Sequence, residues 1–129
     1  MSVVSPDQLK LIFGPVPKNK NMDRRMLVVD DTFFNVEFLR CQIELIPSMK
    51  GRCDYVDSGQ KAIDLITKSL AEGAENPLSP GFGLILLDYS MPNMDGPTTA
   101  VHICKAYKQY RKEQPNIVCL TAFTEKIFE

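Results

Sequence analysis

The chain has one histidine, no closely spaced cysteine pair, no long apolar run and no excess of either charge. The lone histidine, His102, stands beside Val101 in a helix-patterned stretch with no acidic or thiol residue at ligand spacing. It therefore reads as a surface or packing residue rather than a metal ligand or a phosphotransfer group. The four cysteines, Cys41, Cys53, Cys104 and Cys119, have no CxxC spacing and fall in apolar or periodic segments. That predicts buried free thiols rather than disulfides or a zinc site. With 15 basic and 16 acidic residues the net charge is −1, so the chain carries no electrostatic footprint for nucleic acid. The short basic cluster Lys18, Lys20, Arg24 and Arg25 flanks linker-like sequence and reads as a solvated surface. Apolar runs fall far short of the ~20 residues that span a bilayer. Met1–Pro6 also lacks the apolar core of a secretory leader. A soluble, cytoplasmic protein without membrane contact is expected.

What the sequence does hold is an alternation of strand and helix signals. At 129 residues, 44 % of them hydrophobic, the chain has material for one core. Residues 1–24 read as an N-terminal extension: Gly14-Pro15-Val16-Pro17 is linker chemistry, preceded by a small apolar patch at Leu9, Leu11, Ile12 and Phe13. From residue 25 onward, Met26–Val29 predicts a buried strand. Thr32, Val36, Leu39, Ile43 and Ile46 then recur at helical spacing until Pro47. Arg52–Val56 predicts a second strand, less apolar and so nearer an edge. A helix over 59–72 buries Ala62, Ile63, Ile66 and Leu70, and 73–82 has the composition of a long loop. Strand Leu84–Leu87, a helix over 97–110 burying Ala100, Ile103 and Tyr107, strand Ile117–Leu120 and a helix starting near Thr124 complete the pattern. Strands alternating with helices of this length imply right-handed crossovers, hence an α/β fold with a doubly wound parallel sheet.

Candidate functional residues gather at the strand ends. Leu84-Ile85-Leu86-Leu87 stops at Asp88, Met26-Leu27-Val28-Val29 stops at Asp30-Asp31, and Ile117-Val118-Cys119-Leu120 stops at Thr121. The C-terminal tips of parallel strands are where open α/β sheets bind ligands. Two carboxylates ~4 Å apart repel by roughly 4 kcal/mol at an effective dielectric near 20. Either one acid is protonated or a hard divalent cation sits among them. Oxygen-only ligation with no nearby His or Cys favours Mg²⁺ or Mn²⁺. Taken singly, Asp30 or Asp31 reads equally well as a helix cap, Asp88 as a turn aspartate and Thr121 as a capping hydroxyl. Asp95-Gly96 reads as a turn into the third helix.

Val29-Asp30-Asp31, Leu87-Asp88-Tyr89-Ser90-Met91-Pro92-Asn93-Met94-Asp95-Gly96 and Leu120-Thr121-Ala122, in this order, resemble the receiver (CheY-like) domain of two-component response regulators. The resemblance covers residues 25–129. It implies a flavodoxin-like sheet with strand order 2-1-3-4-5, and Asp88 as the acceptor of a phosphoryl group from a phosphohistidine. It also implies Mg²⁺ held by Asp31, Asp88 and the Ser90 backbone carbonyl, with Asp30 acting through water or as a more distant ligand. Thr121 matches the hydroxyl that turns toward the aspartyl phosphate. The implied partners are a histidine kinase or a histidine phosphotransfer protein. The implied activity is that of a module catalysing its own phosphorylation and dephosphorylation, such as the receiver part of a hybrid histidine kinase, rather than a turnover enzyme.

Departures from the family pattern shape the remaining expectations. The family's lysine and aromatic switch residue lie on a further strand, whereas this sequence runs eight residues past Thr121, and Lys126 comes too soon to match. A sheet lacking its last strand and helix would leave the fourth strand as an open edge and bare side chains on the first and third strands. Both features invite pairing with a second copy or cover from the Leu9–Phe13 patch. The missing lysine also motivates an alternative: a degenerate receiver serving as an unphosphorylated interaction or dimerisation module. A haloacid-dehalogenase-like phosphatase fits less well, because Asp30-Asp31-Thr32 does not supply that family's Asp-x-Asp run.

Overall fold

Strand and helix alternate as β1 (Arg25–Val29), α1 (Phe33–Glu44), β2 (Cys53–Val56), α2 (Gly59–Glu75), β3 (Phe82–Asp88), α3 (Gly96–Gln109) and β4 (Asn116–Leu120). The computed structural model describes residues 24–75 and 81–120. The N-terminal extension with its Leu9–Phe13 patch, Thr121, Lys126 and the helix expected near Thr124 lie outside the described residues.

The strands form one parallel sheet, as the alternation predicts, and their order β2-β1-β3-β4 is the one that the resemblance implies for the first four strands. β1 lies inside it, and Met26, Leu27, Val28 and Val29 are each at most 1 % exposed. A strand covered on both faces needs a continuous apolar run rather than an alternating one. On one face Met26, Val28 and Leu86 lie under Leu39 and Ile43 of α1. On the other, Leu27, Val29, Ile85 and Leu87 pack against Ala62, Ile66 and Leu70 of α2 and Ile103 and Tyr107 of α3. Each fully buried aliphatic side chain contributes roughly 1.5–3 kcal/mol, so these two layers anchor all three helices.

Several sequence expectations shift. α2 continues to Glu75 instead of stopping at Glu72, because Ala71-Glu72-Gly73-Ala74-Glu75 keeps enough helix propensity to extend an exposed turn. β3 begins at Phe82 rather than Leu84. Phe82 is 3 % exposed and pairs with Arg25 across a register irregularity, a tertiary contact that loop-like composition hides. α1 spans Phe33–Glu44, so Thr32 becomes its N-cap residue and Ile46 lies past its end. Val36 is only half-buried, and in α3 the buried stripe is Gly96, Thr99, Ile103 and Tyr107, with Ala100 only partly covered. The cysteines are free, yet Cys41 and Cys119 are exposed rather than buried. The bare side chains expected on the first and third strands are corrected in part. Met26, Val28 and Leu86 are buried, in one cluster with Leu39 and Ile43 of α1, whereas Leu84 of β3 is partly exposed on that face, as are Val118 and Leu120 of β4. Among the described residues β2 and β4 are the sheet edges.

Candidate functional site

The parallel register decides what the strand ends deliver. Val29 pairs with Leu87, so the residues that follow them, Asp30 and Asp88, leave neighbouring strands at the same level. Asp31 comes one residue later, in the turn into α1. One carboxylate oxygen from each of Asp30, Asp31 and Asp88 lies within 4.8 Å of the others. Asp30 is 2 % exposed and Asp88 7 %, while Asp31 faces solvent. The three acids singled out in the sequence therefore converge. Ser90 sits two residues beyond Asp88 in an exposed part of the β3–α3 loop, and Thr121 lies outside the described residues.

Asp30 is held by its own turn. Its Oδ1 accepts the Thr32 N–H at 2.9 Å, and its Oδ2 accepts from the Asn35 side-chain amide in a long contact of 3.4 Å. The helix-cap reading holds for neither acid: Asp30 closes a turn onto the Thr32 N–H just before α1, and Thr32 occupies the N-cap position without a side-chain bond. Burial pushes the Asp30 carboxyl above its ordinary value. The Thr32 N–H and the Asn35 amide pull it down, the Asp31 charge pushes it up, hydrogen bonding with Asp88 lowers it, and the net direction is upward. A buried acid beside two others, with partial compensation from neutral donors, is an environment that a divalent cation would neutralise.

Asn35 is the residue that sequence reasoning missed. It is 6 % exposed and shares the buried face of α1 with Leu39 and Ile43. A polar residue in line with that i, i+4, i+8 apolar stripe was the available signal. The β3–α3 turn is built by Asn93, whose φ of 68° places it in the left-handed region, and by Asp95. Asp95 caps α3 by accepting the Thr98 N–H at 2.8 Å, which fits the expected turn role. A cleft of about 320 Å³ opens beside the acids, lined in part by Phe33, Tyr55, Arg40 and Lys61. Lys61 is paired with Asp57 at 2.9 Å, and Arg40 lies 4.1 Å over the Tyr55 ring. His102 is exposed on α3, in keeping with a surface role.

No family profile and no curated protein sequence matches the chain. Solved structures do. The receiver domain of the histidine kinase CKI1 from Arabidopsis thaliana, complexed with Mg²⁺ and BeF₃⁻, is 29 % identical over 86 % of this chain and 77 % of that one, with a TM-score of 0.68. Its complex with Mg²⁺ is 31 % identical over 74 % of this chain and 66 % of that one, with a TM-score of 0.61. The chain is a CheY-like receiver domain. As such it is a module of two-component phosphorelay signalling. A two-component transcriptional regulator AraC from Clostridium phytofermentans shares the receiver's fold at 23 % identity, covering 82 % of this chain and 73 % of that one with a TM-score of 0.57. Among the described residues no helix of the receiver is long and apolar enough to cross a membrane.

Proposed function

We propose that this receiver accepts a phosphoryl group on Asp88 from a phosphohistidine, borne by a histidine kinase or a histidine phosphotransfer protein, and that Mg²⁺ (or Mn²⁺) is needed for it. The supporting observation is the convergence of Asp30, Asp31 and Asp88, with carboxylate oxygens within 4.8 Å, at the C-terminal edge of the sheet. The donor set fits a hard divalent cation, being all oxygen and including a nearly buried acid with its carboxyl pushed upward by burial. Asp30, Asp31, Asp88 and the Ser90 carbonyl are the groups that would hold it. When bound, the ion supplies positive charge against the acids and the phosphoryl oxygens.

The chain's own residues account for the rest of the chemistry. A carboxylate oxygen of Asp88 attacks phosphorus, the P–N bond to the donor imidazole breaks, and the imidazole keeps the electron pair and takes up a proton. The product is an acyl phosphate on Asp88. The Thr32 N–H and the Asn35 amide keep Asp30 oriented during this exchange. Thr121, directly after β4, is the hydroxyl that would meet the phosphoryl group and report it to a partner-binding surface. Exposed Phe33 and Phe34 at the start of α1, and exposed Tyr89 next to Asp88, give the rim an apolar surface for a protein donor.

Intact-mass measurement after incubation with Mg²⁺ and a small acyl phosphate or phosphoramidate tests the proposal. Wild type is expected to gain one base-labile phosphoryl group. Asp88→Asn, or wild type with a chelator, is expected to gain none. An unmodified wild type would overturn the proposal in favour of an unphosphorylated interaction module.

A further inference from the structure

Gly96 opens α3 with its backbone pressed against the end of β3. A Cβ at this position would stand 2.5 Å from the Asp88 carbonyl oxygen and 2.9 Å from the Tyr89 Cα. The atoms it would meet are backbone, so no side chain can swing aside to make room. Gly96 does not have a left-handed φ, so it is space rather than conformational freedom that demands glycine here. The Gly96 N–H donates to the Tyr89 carbonyl at 2.8 Å, and the Tyr89 N–H donates to the Leu120 carbonyl at 2.8 Å. The Asp88–Tyr89 peptide is thus held between β4 on one side and the first residue of α3 on the other.

The helix end cannot retreat easily from this contact. Asp95 accepts the Thr98 N–H, and the fully buried Thr99 donates its hydroxyl to the Asp95 carbonyl at 2.8 Å. The N-terminus of α2 closes the far side, where a Cβ on Gly59 would overlap the Thr99 hydroxyl and approach the Met94 sulfur to 3.2 Å.

We propose that Gly96 is a positioning residue for Asp88: the bare backbone at the start of α3 seats the Asp88–Tyr89 peptide and so sets the Asp88 carboxylate against Asp30 and Asp31. The inference rests on the metal-site reading above. Ligand sets lose much of their affinity when a member is displaced by more than about 0.5 Å, and a methyl at Gly96 cannot be accommodated without moving that backbone.

Two glycine variants separate positioning from general packing. Gly96→Ala and Gly59→Ala both disturb a helix N-terminus, but only the first abuts Asp88. Mg²⁺ is titrated calorimetrically into each protein at a temperature where circular dichroism shows it folded. Gly96→Ala is expected to bind at least about tenfold more weakly than wild type, and Gly59→Ala with wild-type affinity despite a lower melting temperature. Equal affinity in Gly96→Ala and wild type, or equal loss in both variants, would overturn the role of Gly96. A wild type that binds no Mg²⁺ would overturn the metal-site reading itself. Should Gly96→Ala not fold, amide exchange of the wild type decides. Protection of the Gly96 amide is expected to rise on Mg²⁺ saturation while that of Gly59 stays constant, and an unchanged Gly96 amide would overturn the inference.

Discussion

Asp30 works against the fold that contains it. It is almost fully buried, one residue from Asp31 and beside Asp88, and its neutral donors do not offset the burial of its charge. Replacing it with asparagine removes one charge from the cluster and keeps the shape. Without metal, Asp30→Asn should therefore be more stable than wild type by about 1 kcal/mol, a rise in melting temperature of roughly 4–8 °C. Thermal unfolding in a chelator measures this, and a variant no more stable than wild type would contradict the electrostatic account of the site. At this scale the acids themselves were readable, because each interrupts an apolar run at a strand tip. For Asn35 only its burial was readable, from its place on the apolar stripe of α1; that it meets Asp30 was not, because the fold and not the local pattern chooses its partner.

Among the elements, β2 is an edge strand that carries two partly buried groups that resist ionisation. Burial pushes the Cys53 thiol up to about 12 from an ordinary 9.0 and raises the Tyr55 phenol as well. Asp54 on the same strand, Arg25 of β1 and Arg40 of α1 are the charges that face Cys53, and Arg40 and Glu44 of α1 face Tyr55. The folded state holds the thiol protonated, whereas the unfolded chain ionises it from about pH 9. Its contribution is thus complete below pH 9 and is lost as pH rises toward 12. Urea midpoints should fall between pH 9 and pH 11 and fall less steeply in Cys53→Ala; identical slopes would remove Cys53 from the account. Arg25 joins β2 to β1 through a two-pronged contact with Asp54, at 2.9 and 2.8 Å, which raises the guanidinium's affinity for its proton. Element types were readable from periodicity here, but their ends were not. Phe82 joined β3, and residues 73–75 joined α2, through pairing and propensity that loop-like composition masks.

For the whole molecule, the acidic cluster and the sheet that carries it should be thermodynamically linked. An ion that binds only the folded receiver stabilises it by about 2.7 kcal/mol at a hundredfold excess over Kd. Adding Mg²⁺ to wild type should then raise the melting temperature by roughly 10 °C or more, with little rise in Asp88→Asn. A wild type indifferent to Mg²⁺ would leave the three carboxylates without their counter-ion. The sequence by itself determined the fold class, the parallel sheet and the identity of the acids, because apolar runs that end in polar residues are local patterns with one economical burial solution. Tertiary structure alone decided that Val29 pairs with Leu87, which sets Asp30 beside Asp88, and that Asn35 and Gly96 brace them. The same holds for the packing of Met26, Val28 and Leu86 against Leu39 and Ile43 of α1 and for the exposure of Cys41 and Cys119. These depend on register and on which helix lies over which strand, and both arise from contacts between residues far apart in the chain.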